Sequence, residues 1–145
     1  MPWIFKNKEF TKNDVLDNWI GFVYLITLTS ESGEKKYYIG KKNFFTMAKQ
    51  NLAKKDISED KRKKTYRRKK TFTFEKYNGS SKVLLELVEQ GWEIKKNIIR
   101  ICKTKGELTY YEVFYQMKYN ALLTDKFLND NILGKFYKKH FFENN

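Results

Sequence analysis

The sequence predicts an α+β domain, built from a small three-stranded antiparallel sheet flanked by helices. Apolar, β-branched segments bounded by turn residues indicate three strands, and capped or amphipathic segments indicate the helices. Their order along the chain is hairpin, helix, helix, strand and long helix, which is typical of an α+β fold. The 145 residues are 41% hydrophobic and 17% aromatic, enough to form the core of one domain.

The chain is predicted to begin with an arm that precedes the domain. Residues 1–19 are assigned to this N-terminal arm, which contains a short helical turn with Thr11 or Asn13 as its N-cap. No linker or internal repeat divides the remainder, so residues 20–145 are predicted to form a single domain.

A hairpin follows the arm. The segment 19–28 is apolar, aromatic and β-branched, which favours a largely buried strand. The cluster of Thr, Ser, Gly and Glu at 29–34 favours a turn, and residues 35–40 return as a second strand. The two strands are therefore expected to pair as an antiparallel hairpin.

The middle of the chain is predicted to be helical and then irregular. Residues 43–55 carry apolar side chains at spacings that suit a short amphipathic helix. These apolar residues are Phe44, Phe45, Met47, Ala48 and Leu52. The strongly basic stretch 58–72 is expected to be an irregular loop or an extended helical arm.

A capped helix and a third strand come next. A serine of the Gly79-Ser80-Ser81 run as N-cap and Gly91 as C′ bracket a helix around the apolar segment 83–88. Residues 92–102 contain four isoleucines and are predicted to form the third strand.

The last elements are a long helix, a loop and a short helix. Thr104 and Glu107 have capping-box spacing and open an aromatic helix that is predicted to extend through Leu123. Residues 124–131 are expected to form a loop and 132–140 a short basic helix.

Composition excludes several classes of protein. One cysteine and one histidine cannot form a Cys/His zinc site within one chain, and a lone cysteine cannot form an internal disulfide. No apolar run approaches the roughly 18 residues of a membrane span, and the N-terminus lacks the apolar stretch of a signal peptide. We therefore expect a cytoplasmic location and no membrane partner.

The net charge of +13 is concentrated in one segment. Between Lys35 and Lys76, 16 basic residues stand against 4 acidic ones, a balance of +12, so the rest of the chain is nearly neutral. The densest run extends from Lys61 to Lys70 and would repel itself unless an anion neutralised it. A solvated loop is the simpler explanation, but the charge favours a nucleic-acid partner.

The residues available for chemistry are limited. The sequence contains no Ser-His-Asp set, no P-loop, no dinucleotide-binding fingerprint and no dense carboxylate cluster suited to two metals. Hydrolysis of a phosphodiester would therefore have to be built from tyrosines, basic residues and one carboxylate.

The hairpin carries two short tyrosine-containing motifs, one on each strand. Gly21-Phe22-Val23-Tyr24 is followed 14 residues later by Tyr38-Ile39-Gly40. The chain thus resembles the GIY-YIG nuclease superfamily over about residues 20–131, although Phe22-Val23 departs from the first tripeptide. The block from Tyr38 to Lys42 and the run Gly79-Ser80-Ser81 are similar to those of the phage Seg-type branch.

The resemblance implies a GIY-YIG-like domain with a basic insertion at about 54–72, and a metal-dependent DNA endonuclease activity. Glu112, on the long helix, would hold a Mg²⁺ or Mn²⁺ ion. Tyr24, alone or through Tyr38, would accept a proton from the attacking water. Relatives have a histidine where this chain has Gly79, so its absence places more of the base role on Tyr24. Nearby cations are expected to lower the pKa of Tyr24 from about 10.

Two family positions have alternatives. Residues 43–60 lack the arginine that relatives carry after the second strand. Arg67 and Arg68, or Lys41 and Lys42 as substitutes, are the candidates for its phosphate contact. The late asparagine of the family is Asn129 or Asn131, and Asn131 is favoured because apolar residues follow it directly.

The expected partner is DNA, most simply double-stranded, bound by the basic segment and the serines before the helix. The predicted DNA-binding residues are Lys61, Arg62, Lys63, Lys64, Arg67, Arg68, Lys69, Lys70, Ser80 and Ser81. If the chain is phage-encoded, its location is the interior of the host cell. The alternative function is a nucleic-acid-binding protein without catalysis on the same scaffold. The oligomeric state is left open.

Overall fold

A computed structural model describes residues 1–51 and 66–142 of the chain. The strands are β1 (Trp3–Phe5), β2 (Lys8–Phe10), β3 (Gly21–Thr29), β4 (Lys35–Asn43), β5 (Phe45–Asn51), β6 (Tyr66–Phe72), β7 (Glu93–Cys102), β8 (Asn131–Ile132) and β9 (Phe136–Tyr137). The helices are α1 (Lys82–Glu89), α2 (Lys105–Lys118) and α3 (Lys139–Phe142), and a 3₁₀ turn covers Lys12–Asp14. The predicted α+β class is confirmed.

The predicted hairpin and the third strand form the centre of the sheet. β3 pairs antiparallel with β4 along its whole length, with Tyr24 opposite Gly40 and Ile26 opposite Tyr38. β7 pairs antiparallel with the other side of β3. These are the three strands that the apolar and β-branched segments and the turn between the first two predicted.

The prediction of a three-stranded antiparallel sheet is wrong, because the sheet has five strands and is mixed. Its order is β2-β1-β7-β3-β4, and β1 lies parallel to β7, with Trp3 beside Lys96. The segment predicted as an N-terminal arm therefore adds a two-strand hairpin to this sheet, followed by the predicted helical turn with Thr11 as its N-cap. Three-residue strands are too short to give a recognisable alternation in sequence.

The helix predicted at 43–55 is wrong over its described residues, because Asn43 ends β4 and Phe45–Asn51 form β5. β5 pairs antiparallel with β6 in a separate two-stranded sheet, so the predicted loop or helical arm is also wrong over 66–72. The rings of Phe45 and Phe72 lie edge to face, 6.2 Å apart, and pack against the core. This cross-strand packing stabilises strands that the helical spacing of Phe44, Phe45 and Met47 concealed.

The helices begin where the sequence predicted. Ser81 is the N-cap of α1, and its Oγ accepts a hydrogen bond from the Leu84 N–H at 3.3 Å. Thr104 is the N-cap of α2, and its Oγ1 accepts from the Glu107 N–H at 3.0 Å. α2 ends at Lys118 rather than at Leu123. The predicted basic helix at 132–140 is mostly replaced by the short β8–β9 hairpin, which precedes α3.

The central sheet separates two apolar layers. Phe22, Tyr24, Ile26 and Leu28 face an aromatic cluster on the α1 side. The other members of that cluster are Trp3, Phe10, Phe44, Phe74, Leu84, Ile94 and Ile98. The intervening Val23 and the next strand's Ile39 face α2, with Cys102 and Leu108. β4 is the edge strand, so groups from both layers can meet beside it.

Candidate active site

A cavity of about 680 Å³ lies at the open edge of β4. Its walls come from β4, the start of α1, the middle of α2 and the segment 128–134. The predicted site residues among them are Tyr38, Lys41, Ser81, Glu112 and Asn131. Residues distant in sequence thus share one surface, which is what a site for chemistry requires.

Tyr24 lies directly behind this cavity. Its ring is 1% exposed and does not line the cavity wall, whereas Tyr38 is half-buried and does. The two rings are 6.2 Å apart, because Tyr24 and Tyr38 extend from the same face of the hairpin. A Cβ on Gly40 would lie 2.7 Å from Tyr24 Cζ, so the Tyr24 ring occupies the space that a side chain at position 40 would need.

The environment of Tyr24 keeps its phenol protonated. Burial raises the pKa of Tyr24 far above its ordinary value, and a polar contact with Tyr77 and the charge on Glu112 raise it further. The expectation that nearby cations lower this pKa is therefore wrong for the protein by itself. Lys42, one of the candidates for the phosphate contact, has its Nζ 4.9 Å from the centre of the Tyr77 ring.

Tyr38 is in the same electrostatic situation but is more accessible. Burial raises its pKa, a hydrogen bond with Ser80 lowers it, and the charges of Tyr77 and Glu112 raise it. The Tyr38 Oη and Ser80 Oγ atoms are 3.4 Å apart. Ser80, predicted as a DNA contact, is thus also a neighbour of Tyr38.

Glu112 is the carboxylate that α2 brings to the cavity. It is half-buried, and burial raises its pKa while the Lys41 ammonium and backbone N–H lower it. No ion pair involving Glu112 is present among the described side chains. The Lys41 Nζ instead donates to Thr109 Oγ1 at 2.8 Å, one turn before Glu112 on α2.

The candidates for the missing arginine occupy different places. Lys41 lines the cavity, and Lys42 lies beside Tyr77. Arg68 is exposed on β6 and does not line the cavity. Arg67 belongs to the same strand, and its side chain is outside the described part of the chain. Of these residues, Lys41 is the cation that the structure places beside Tyr38 and Glu112.

The two candidate asparagines differ in what they bind. Asn129 is 3% exposed, and its amide accepts from the Ile39 N–H at 3.0 Å and donates to the Ile39 carbonyl at 2.7 Å. It therefore satisfies the open edge of β4 between Tyr38 and Gly40. Asn131 is exposed at the cavity, and its Oδ1 accepts from the Gly134 N–H at 2.9 Å.

Comparison with known protein families shows which family the chain belongs to. Residues 3–132 match the family described as "Putative endonuclease segE, GIY-YIG domain". The chain belongs to the SegE-type GIY-YIG family. None of the curated proteins and none of the solved structures matches the chain. The superfamily and the Seg-type branch inferred from the hairpin are thereby confirmed.

The extent of the match adds to the sequence prediction. The resemblance was expected over about 20–131, but the family match begins at Trp3 and so includes the β1–β2 hairpin. In this GIY-YIG domain, β1 contacts β7 directly. The segment that forms the N-terminal strands therefore lies within the family match.

The basic surface of this GIY-YIG domain is only partly described. Arg68, Lys69 and Lys70 are exposed on β6, and the Lys70 Nζ lies 4.2 Å from the centre of the Phe45 ring. The predicted DNA-binding residues Lys61, Arg62, Lys63 and Lys64 lie outside the described residues. No described helix is long and apolar enough to cross a membrane.

Two residues of this GIY-YIG domain were missed in the sequence. Tyr77 contacts Tyr24, with ring centres 6.0 Å apart in an edge-to-face arrangement. Lys96 is 1% exposed under the segment that carries Tyr77. A signal for Lys96 existed, since it occupies an inward position between Ile94 and Ile98 in the alternation of β7.

Proposed function

We propose that the chain is an endonuclease that hydrolyses phosphodiester bonds in double-stranded DNA with Mg²⁺ or Mn²⁺. The observation that supports this most directly is the β4-edge cavity, where Tyr38, Lys41 and Glu112 meet. Membership of a family of endonuclease domains and a net charge of +13 support the same function. Membership also supports a phage origin and action inside the host cell.

Glu112 has the chemistry of a metal ligand in this site. Among residues 1–51 and 66–142, no cluster of three His, Cys, Asp or Glu side chains is present, so these residues do not form a preformed metal cage. Glu112 and Asp130 are the carboxylates that line the cavity, and Mg²⁺ fits such a site because it needs one or two carboxylates, keeps several waters and takes further oxygens from substrate phosphates. When bound, such an ion stabilises negative charge on the phosphate.

The other cavity residues would act on the phosphate and on the water. Lys41 would contact a phosphate oxygen as a point charge. Tyr38, at the cavity wall, would first lose its phenolic proton to solvent and then, as the phenolate, accept the proton of the attacking water, with Tyr24 supporting it from behind. Neutralising the Glu112 charge removes one of the causes that raise the pKa values of both tyrosines. A cation held by Glu112 would neutralise that charge, so metal binding would favour the phenolate that acts as the base.

Cleavage of supercoiled plasmid tests this function. Wild type, Glu112→Gln and Glu107→Gln would be compared with Mg²⁺, with Mn²⁺ and with EDTA. Glu107 is the matched control because it lies on the same helix and does not line the cavity. We expect metal-dependent nicking or linearisation by wild type and Glu107→Gln, and at least about a 100-fold lower rate with Glu112→Gln.

The outcomes separate the two candidate functions. No cleavage by wild type, with salt-sensitive DNA binding retained, would favour the non-catalytic nucleic-acid-binding protein. Equal cleavage by Glu112→Gln would reject Glu112 as the metal ligand. A Tyr38→Phe variant that cleaves at the wild-type rate would reject Tyr38 as the base.

A further inference from the structure

Both site tyrosines contact one short segment, residues 74–80, between β6 and α1. The Tyr38 Oη lies 3.4 Å from Ser80 Oγ, and the Tyr24 ring meets the edge of Tyr77. Gly79, in the same segment, has a φ of 97°, which residues with a side chain rarely adopt. A Cβ added at this position would lie 3.3 Å from the Ile26 side chain. The position of this 74–80 segment therefore sets where Ser80 contacts Tyr38 and where Tyr77 contacts Tyr24.

A buried ammonium fastens the segment to the sheet. The Lys96 Nζ donates to the Glu75 carbonyl at 3.2 Å, to the Tyr77 carbonyl at 2.9 Å and to Asn78 Oδ1 at 3.1 Å. An ammonium has three donors, and all of them are used on three residues of the stretch 75–78. Because Lys96 is 1% exposed, water could not replace these hydrogen bonds if they were lost.

The N-terminal strand completes the same attachment. The Trp3 Nε1 donates to the Phe74 carbonyl at 2.7 Å, and the Lys96 Nζ lies 4.7 Å from the centre of the Trp3 ring. Trp3 and Lys96 are direct neighbours in the register of β1 and β7. Two adjacent strands thus hold the first five residues of the segment, Phe74 to Asn78, and the Trp3 ring face stabilises the ammonium.

We propose that Lys96 is a positioning residue for DNA cleavage. By binding three acceptors of the 74–80 segment, it holds Tyr77 and Ser80 where they orient the phenols of Tyr24 and Tyr38. The kinetic part of this proposal rests on the endonuclease function proposed above. A purely structural lysine would stabilise the fold without any selective effect on the chemical step.

The first test compares Lys96→Met with Lys95→Met. Methionine keeps an apolar stem and removes the ammonium, and Lys95 is the exposed neighbour on the same strand. We expect Lys96→Met to lower kcat by about 10- to 100-fold with an unchanged KM and DNA Kd, because misplaced groups lose rate rather than binding. Lys95→Met should cleave at the wild-type rate. Asn78→Ala, which removes one acceptor and leaves Lys96 in place, should lower kcat less.

The second test asks through which residue Lys96 acts. If it acts through Tyr77, the kcat losses of Lys96→Met and Tyr77→Phe should combine to less than their product. Losses that multiply, or a folded Lys96→Met that cleaves at the wild-type rate, would overturn the proposal. Should Lys96→Met not fold, a wild-type rate for Asn78→Ala would overturn it instead.

A readout without cleavage separates this proposal from the endonuclease function. In protein labelled with ¹³C at tyrosine Cζ, the resonances of Tyr24 and Tyr38 should shift in Lys96→Met and stay in place in Lys95→Met. If wild type does not cleave DNA but these shifts appear, the endonuclease proposal fails and the positioning of the phenols stands. Unshifted resonances would overturn the positioning role whatever the activity.

Discussion

Replacing Gly40 by alanine tests the contact between the hairpin strands on which the site depends. The new Cβ would lie 2.7 Å from Tyr24 Cζ, closer still to Tyr24 Oη, and 3.1 Å from Tyr38 Cε1. Ordinary carbon contacts begin at about 3.5 Å, so the Tyr24 ring must move by about 0.8 Å. The ring is 1% exposed and packed against Trp3 and Tyr77, which leaves it no free space.

The expected loss follows from this displacement. Overpacking of a close-packed core costs about 1–3 kcal/mol of unfolding free energy, which would lower the Tm by roughly 4–12 °C. A displacement approaching 1 Å at the site would lower kcat for plasmid cleavage by about 100-fold. Both tyrosines are affected, because the added methyl group of Gly40→Ala points between their rings.

Thermal melts and plasmid cleavage measure the two effects, with Gly106→Ala as the control. A Cβ on Gly106 meets nothing within 4 Å and lies in the first turn of α2, so alanine there should raise stability by up to about 1 kcal/mol. In a Tyr24→Phe background, Gly40→Ala should lower the unfolding free energy by less than in wild type, because the nearest overlapping atom, Tyr24 Oη, is absent. A Gly40→Ala variant with the Tm and rate of wild type would refute the argument.

Two further predictions concern buried charge and backbone strain. Burial lowers the pKa of Lys96 to about 8 from 10.5, so above pH 8 the unfolded state binds more protons at this position than the folded state. The unfolding free energy of wild type relative to Lys96→Met should therefore rise by about 2 kcal/mol between pH 7.5 and 9.5, and a flat difference in denaturant titrations would contradict this. Leu133 has a φ of 58° and is 54% exposed, whereas Leu123 is equally exposed at 55% without a positive φ. Because asparagine tolerates the left-handed region, Leu133→Asn should be more stable than Leu123→Asn by about 1 kcal/mol, and equal melting temperatures would reject the strain.

Much of the site was predictable from sequence because its motifs are local. Tyr24, Tyr38 and Gly40 lie on a hairpin whose two strands and turn are predicted by about 20 consecutive residues. Glu112 was predicted through the family resemblance, which implies a glutamate on the late helix, and the capped helix α2 carries it. What could not be predicted was exposure: Tyr24 is fully buried behind the cavity, and its pKa is raised rather than lowered. Burial depends on Trp3 and Tyr77, which are distant in sequence.

The sequence by itself determined the α+β class, the β3–β4 hairpin, the third strand β7, the starts of α1 and α2 and the family. Each of these depends on caps, turns or alternation within one short stretch of chain. Only the tertiary structure decided that β1 lies beside β7, that the basic strand β6 pairs with β5, and that Lys96 reaches the segment carrying Tyr77. Each of these features is a contact between segments that are about 20 to 90 residues apart in the sequence. They are decided by which surfaces bury each other best in the folded chain, and local propensity does not contain that information.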